Sequence, residues 1–205
     1  VSQPVFRRSV LAIALLLGAP GAIAHAQVNT ESHEFLEAVR DADGTKVTQI
    51  VQQPGNTLIN TRDLATGDTA LHIVADRDSD GRWLKFLIQN GANPNVLNKK
   101  GVTPLMIAAG KGNVDGVDAL IKAGARVDEQ DRLGETPLIA ATHKRDVAMV
   151  KLLLANGADP DRTDNSGRSA RDYVKLYADR RLTAEFDAAD ENRKGKSGPA
   201  YGPGL

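Results

Sequence analysis

The ten residues Gly101-Val102-Thr103-Pro104-Leu105-Met106-Ile107-Ala108-Ala109-Gly110 decide how this chain folds. Threonine followed by proline and an apolar run marks a helix start: the hydroxyl caps a free amide, and proline takes the first helical position, where an N–H would go unpaired anyway. The pattern recurs as Gly67-Asp68-Thr69-Ala70-Leu71-His72 and Gly134-Glu135-Thr136-Pro137-Leu138-Ile139, and Gly167-Arg168-Ser169-Ala170 opens a fourth copy. The leading glycines thus recur with a period of about 33 residues. A second motif keeps step with the first: Leu87-Ile88-Gln89-Asn90-Gly91-Ala92, Leu120-Ile121-Lys122-Ala123-Gly124-Ala125 and Leu153-Leu154-Ala155-Asn156-Gly157-Ala158. Two phase-locked motifs at one period mean tandem units, each of which buries its apolar face only by stacking on a neighbour.

Working outward, Gly91, Gly124 and Gly157 each follow a helical stripe, where a left-handed C-terminal cap is expected. Ala75, Ala108, Ala109, Ala140 and Ala141 are small enough to let first helices approach adjacent repeats. Over residues 34–185 these motifs, GxTPLxxAA, an apolar second-helix stripe and LLxxGAxP/V, resemble the ankyrin-repeat family. The resemblance implies an all-α solenoid of stacked helix-turn-helix units with finger-like loops. Residues 67–100, 101–133 and 134–166 are then full repeats. Residues 34–66 and 167–190 depart from the signature and are expected to be capping repeats, because a solenoid end needs a polar outer face. The stretch 191–205 lacks periodicity, is rich in Gly and Pro, and is expected to be a disordered tail.

Residues 1–26 carry Arg7 and Arg8, the apolar run from Val10 to Leu17, then Gly18 and Pro20, and end Ala24-His25-Ala26. That is the layout of a cleavable export signal, with cleavage expected after Ala26 and a short leader over 27–33. The apolar run from Val10 to Leu17 falls short of the roughly 20 residues needed to span a bilayer. The expected product is periplasmic or secreted, with no stable membrane anchor after cleavage.

Lysine plus arginine equal aspartate plus glutamate at 26 each, so no overall field favours nucleic acid or an anionic membrane. The chain has no cysteine, which removes disulfides, thiolate metal sites and cysteine nucleophiles. Aromatic residues make up 4%, too few for a stacking platform on single strands.

Catalytic signals are missing too: no GxSxG elbow, no nucleophile beside a base. Gly195-Lys196-Ser197 ends like a phosphate loop, but Asp190 stands where its first glycine belongs. His72 is expected to bond between adjacent repeats, as the family resemblance implies, while His33 and His143 lack zinc-binding spacing. Asp76, Asp78 and Asp80 with Gly81 match the first half of a calcium loop, but Leu87 occupies the place of its bidentate glutamate. A solvated inter-helix loop is the expected reading, with no cofactor, and calorimetry at millimolar calcium is the check.

With no enzyme signature, the resemblance implies that the chain works as a monomer holding a protein partner on its concave side, formed by finger tips and first-helix surfaces. The candidate contact residues are Asp68, Lys99, Lys100, Val102, Lys111, Arg132, Leu133, Glu135, His143, Lys144 and Arg168. The loops run from acidic around Asp41, Asp43 and Asp76 to basic around Lys144 and Arg145, a gradient that would align a dipolar partner. Trp83, among Leu84, Phe86 and Leu87, is expected to pack rather than to anchor a partner. Two other expectations are a calcium-dependent or small-ligand receptor using the acidic loop, and a secreted effector that binds host proteins.

Overall fold

The computed structural model describes the backbone of residues 20–77 and 81–196, and the side chains of 30–77 and 81–193. Among the described residues the α-helices follow one another in pairs: α1 (Pro20–Arg40) with α2 (Gly44–Val51), α3 (Ala70–Arg77) with α4 (Arg82–Gln89), α5 (Pro104–Lys111) with α6 (Val114–Lys122), α7 (Pro137–His143) with α8 (Val147–Ala155), and α9 (Ala170–Tyr177) with α10 (Arg180–Lys196). The first helices α1, α3, α5, α7 and α9 form one row and the second helices α4, α6, α8 and α10 another, each packed on the next in its row. The chain is thus an all-α solenoid, as its period requires.

Local chemistry sets where these helices begin and end. Thr103, Thr136 and Ser169 accept the amides of Met106, Ile139 and Asp172, each at 3.2 Å, and Pro104 and Pro137 open α5 and α7. At the far ends of the second helices, the amides of Ala92, Ala125 and Ala158 bond back to Leu87, Leu120 and Leu153 at 2.9–3.0 Å. The residue before each is a glycine with φ of 84–89°, the left-handed turn that closes a helix C-terminus.

Between the rows lies a continuous core. Leu71, Leu105 and Leu138 from the first helices, and Leu84, Leu87, Leu120 and Leu153 from the second, are at most 1% exposed. Truncating such a leucine to alanine costs about 2–5 kcal/mol. Gly116 shows how closely the second helices approach: a Cβ there would lie 2.7 Å from the Leu84 side chain of the neighbouring repeat. Trp83 is half-buried, edge-on to Phe86 at 6.5 Å with Arg77 over its face at 5.3 Å, so packing is its role.

The ends differ from the sequence expectation in two ways. Helix α1 starts at Pro20 and passes unbroken through the expected cleavage point and the leader 27–33, so the leader is continuous with the first helix. Helix α10 runs past 190 to Lys196, so the tail expected to be disordered begins as helix. The physical reason for the second lies in anchors that composition does not reveal. Arg171 on α9 holds both oxygens of Asp190 at 2.9 and 3.0 Å and reaches Asp161 at 2.8 Å, and Arg193 donates to Ala158 O at 2.6 Å. Glu191 and Arg193 are also good helix formers.

The last repeat also carries the polar face that a terminus needs. Ile139 and Thr142, fully buried in α7, correspond in the next repeat to Asp172 and Lys175, which are exposed and pair with each other at 3.8 Å.

Candidate partner-binding groove

Each finger is built around one acceptor. The side-chain oxygens of Asp63, Asn98, Asp131 and Asp164 accept two backbone amides apiece from the turn that follows: Ala65 and Thr66, Lys100 and Val102, Leu133 and Glu135, Ser166 and Arg168. The amide of Thr66 and the guanidinium of Arg40 hold the Asp63 carboxyl at about 2, and the hydroxyls of Ser166 and Tyr173 hold Asp164 below the usual carboxylate range.

Adjacent fingers are tied by their backbones and by the basic tip residues. Lys99 N donates to Thr66 O at 2.9 Å and Asn165 N to Leu133 O at 3.0 Å. The Lys99 ammonium bonds Leu64 O, and the Arg132 guanidinium bonds Lys99 O. These two exposed cations, read in the sequence as candidate partner contacts, are clips between fingers, because each carbonyl they reach belongs to the preceding finger. Lys100, Leu133 and Arg168 stay exposed, Leu133 at 68%.

The basic ends of the first helices do similar work. Arg77, Lys111 and Lys144 stand in register, and each reaches the C-terminal end of the preceding first helix: Arg77 to Val39 O and Arg40 O at 2.7 and 2.9 Å, Lys111 to Asp76 at 2.8 Å, and Lys144 to Gly110 O. A cation is favoured there by the helix dipole and by carbonyls that lack intrahelical partners. Lys144→Met should therefore cost about 0.3–1 kcal/mol. Urea melts would read this as a lower midpoint with an unchanged slope, and a midpoint equal to that of the parent would show that the contact carries nothing.

Between fingers and first helices runs a groove with an apolar floor. Ile73, Ile107, Ala140 and Tyr173 stand in register, one per repeat, and all are half-buried. In the earlier half, Asp68, His72, Ile73, Asp76, Asn98, Lys100, Val102 and Ile107 enclose a cleft of about 430 Å³. His72 forms its wall: Nδ1 accepts the Thr69 amide at 3.1 Å, so Nε2–H donates to Val102 O, at 3.0 Å, in the next repeat. This is the inter-repeat bond expected for His72, and burial pushes its pKa down.

In the later half the groove is aromatic. His143, the last residue of α7, lies with its ring 4.2 Å from that of Tyr173, and its Nδ1 is 2.6 Å from the Tyr177 hydroxyl. Its Nε2 is 3.5 Å from Glu135, whose carboxyl is pushed up by burial, against the pull of His143. Tyr173 donates to Asp164 at 2.7 Å and stacks beside Tyr177 at 6.2 Å, and Arg145 lies over Tyr177 at 5.2 Å.

Of the candidate calcium carboxylates, Asp76 is paired with Lys111, while Asp78 and Asp80 lie outside the described residues. No cluster of three or more His, Asp or Glu with metal-binding geometry occurs among the described residues, and no helix among them is long and apolar enough to cross a membrane.

A family model described as ankyrin repeats in three copies matches residues 35–131 and again 71–164, together more than half of the chain. The chain belongs to the ankyrin-repeat family. The fingers and first helices that define the groove are thus ankyrin fingers and inner helices, and ankyrin repeats generally mediate binding to other proteins.

The structure draws the sequence candidates of this ankyrin chain into two groups, Asp68, Lys100 and Val102 at the cleft and Glu135 and His143 at the aromatic end. It adds Tyr173 and Tyr177, which lie in the stretch 167–190 expected to be a capping repeat and were not among the candidate contacts. The signal was present: Tyr173 stands one repeat after Ala140 and two after Ile107, at the floor position of the unit.

Proposed function

We propose that this protein is an exported ankyrin module that holds a partner protein in the groove between its fingers and first helices and performs no catalysis. The observation that carries this reading is the half-buried floor Ile73, Ile107, Ala140 and Tyr173, an apolar strip crossing four repeats and edged by polar finger residues. Such a strip offers area for burial, and the polar edge offers orientation, the division of labour found in protein interfaces.

Export rests on the arrangement of residues 1–26 and supports a periplasmic or secreted site of action, with the mature chain beginning at Gln27. Mass spectrometry of the protein recovered outside the cytoplasm checks this through its N-terminus.

Partner holding is tested by photo-crosslinking in cells. A crosslinkable residue at Ile107 or Lys100, in the groove, is expected to trap one discrete partner band. The same residue at Lys85, an exposed position on α4, is expected to trap none. Equal trapping from Lys85 would overturn the reading.

A further inference from the structure

We infer that the aromatic end of the groove takes a protein segment that seats an arginine or lysine side chain against Glu135 and lays an adjacent apolar residue on Tyr173, Leu176 and Tyr177. This deepens the proposed function and rests on the groove being the binding face.

Charge complementarity identifies the occupant. The two acids of the earlier cleft are already answered: Asp76 by the Lys111 ammonium at 2.8 Å, and Asp68 by the Asn98 amide at 2.8 Å. Glu135 is not answered in this way. It is half-buried, with Asp131 and Asp164 adding negative potential, and its ion-pair partner is His143, 3.5 Å away, which carries charge only when protonated. The nearby fixed cations are otherwise engaged or displaced: Lys144 bonds Gly110 O, Arg145 lies over Tyr177, and Arg168 is exposed on the last finger. A half-buried carboxylate among other carboxylates gains most from a cation brought by a partner, because removal of water strengthens the attraction.

The rings supply the rest. Tyr173, Leu176 and Tyr177 follow i, i+3, i+4 spacing and so share one face of α9, and Leu176 is 67% exposed with no core role. Two of the chain's three tyrosines stand there, beside His143. Aromatic rings bind the alkyl body of a lysine or the plane of a guanidinium and are enriched among residues that dominate interface energies. A nucleic-acid strand would set phosphates against Glu135 and Asp164, so the surface favours a basic protein segment.

The test selects dodecapeptides displayed on phage against the full chain, with counter-selection on Glu135→Gln. Enriched peptides are expected to carry Arg or Lys next to an apolar residue. A synthetic copy should bind at least tenfold more weakly to Glu135→Gln and to Leu176→Ser, both checked for native melting. It should bind unchanged to Lys85→Gln, at an exposed position on α4 outside the groove. Enrichment of acidic peptides, equal binding to Glu135→Gln, or no enrichment over the counter-selection overturns the inference. Peptides that shift amide resonances of the Asp68–Val102 cleft overturn the inference alone, and peptides that shift only resonances of α4, α6 and α8 overturn the groove reading as well.

Discussion

Gly134→Ala should lower the unfolding free energy by about 3 kcal/mol, the sum of a backbone cost and two weakened bonds. Gly134 has φ of 75°, in the left-handed region where a Cβ costs about 1–2 kcal/mol. The new methyl also has nowhere to go, because its Cβ would lie 2.6 Å from Asn165 Oδ1 and 2.8 Å from Asn165 N. Those atoms belong to the next finger, so the finger must move, and its bonds Asn165 N to Leu133 O and Asn165 Nδ2 to Arg132 O stretch with it. Each is worth about 1 kcal/mol. Gly167 provides the control: its φ is 78°, but a Cβ placed there meets no atom within 4 Å, so Gly167→Ala should cost only the backbone part. Equal losses at the two positions in urea melts would show that finger packing contributes nothing.

Replacing His72 by leucine should cost a comparable amount and also change the response to acid. The Thr69 amide and the Val102 carbonyl would both lose a buried partner, at about 1–3 kcal/mol each. Burial lowers the His72 pKa from its ordinary 6.5, so below that value the unfolded chain binds a proton that the native chain refuses. Stability must therefore fall as pH drops through 6.5 toward the lowered native value, by up to about 1.4 kcal/mol per pH unit, and be level above 6.5 as far as this group is concerned. Glu135, whose carboxyl is raised from 4.5, acts with the opposite sign, favouring the native state at the acid end of its window. It is present in both proteins and cancels in their difference. The difference between parent and His72→Leu should accordingly be larger at pH 7.5 than at pH 5. A difference independent of pH would mean that His72 titrates alike folded and unfolded.

The fold was legible because it is written in local chemistry repeated at one period. Thr103-Pro104 and Thr136-Pro137 start helices and Gly91, Gly124 and Gly157 end them, and both devices work over a few residues. The contacts of Lys99, Lys144 and Arg132 were not legible, since each bonds a carbonyl of the preceding repeat and any surface lysine has the same local pattern. Tyr173 was not singled out for another reason: a half-buried aromatic on an amphipathic helix fits core and groove equally well, and only its register with Ile107 and Ala140 tells them apart. Arg171 and Asp190, on different helices, likewise hide the length of α10 from composition.

Asp172 and Lys175 carry a consequence beyond the single molecule. They occupy the positions of Ile139 and Thr142, buried residues of α7, the first helix on which α9 packs, so the last first helix carries charge where its predecessor carries a buried face. A repeat array has no intrinsic length, and each apolar end would invite the start of another copy in a head-to-tail contact that never closes. Charge at these two positions works against that contact, because stacking another copy there would bury Asp172 and Lys175 away from water.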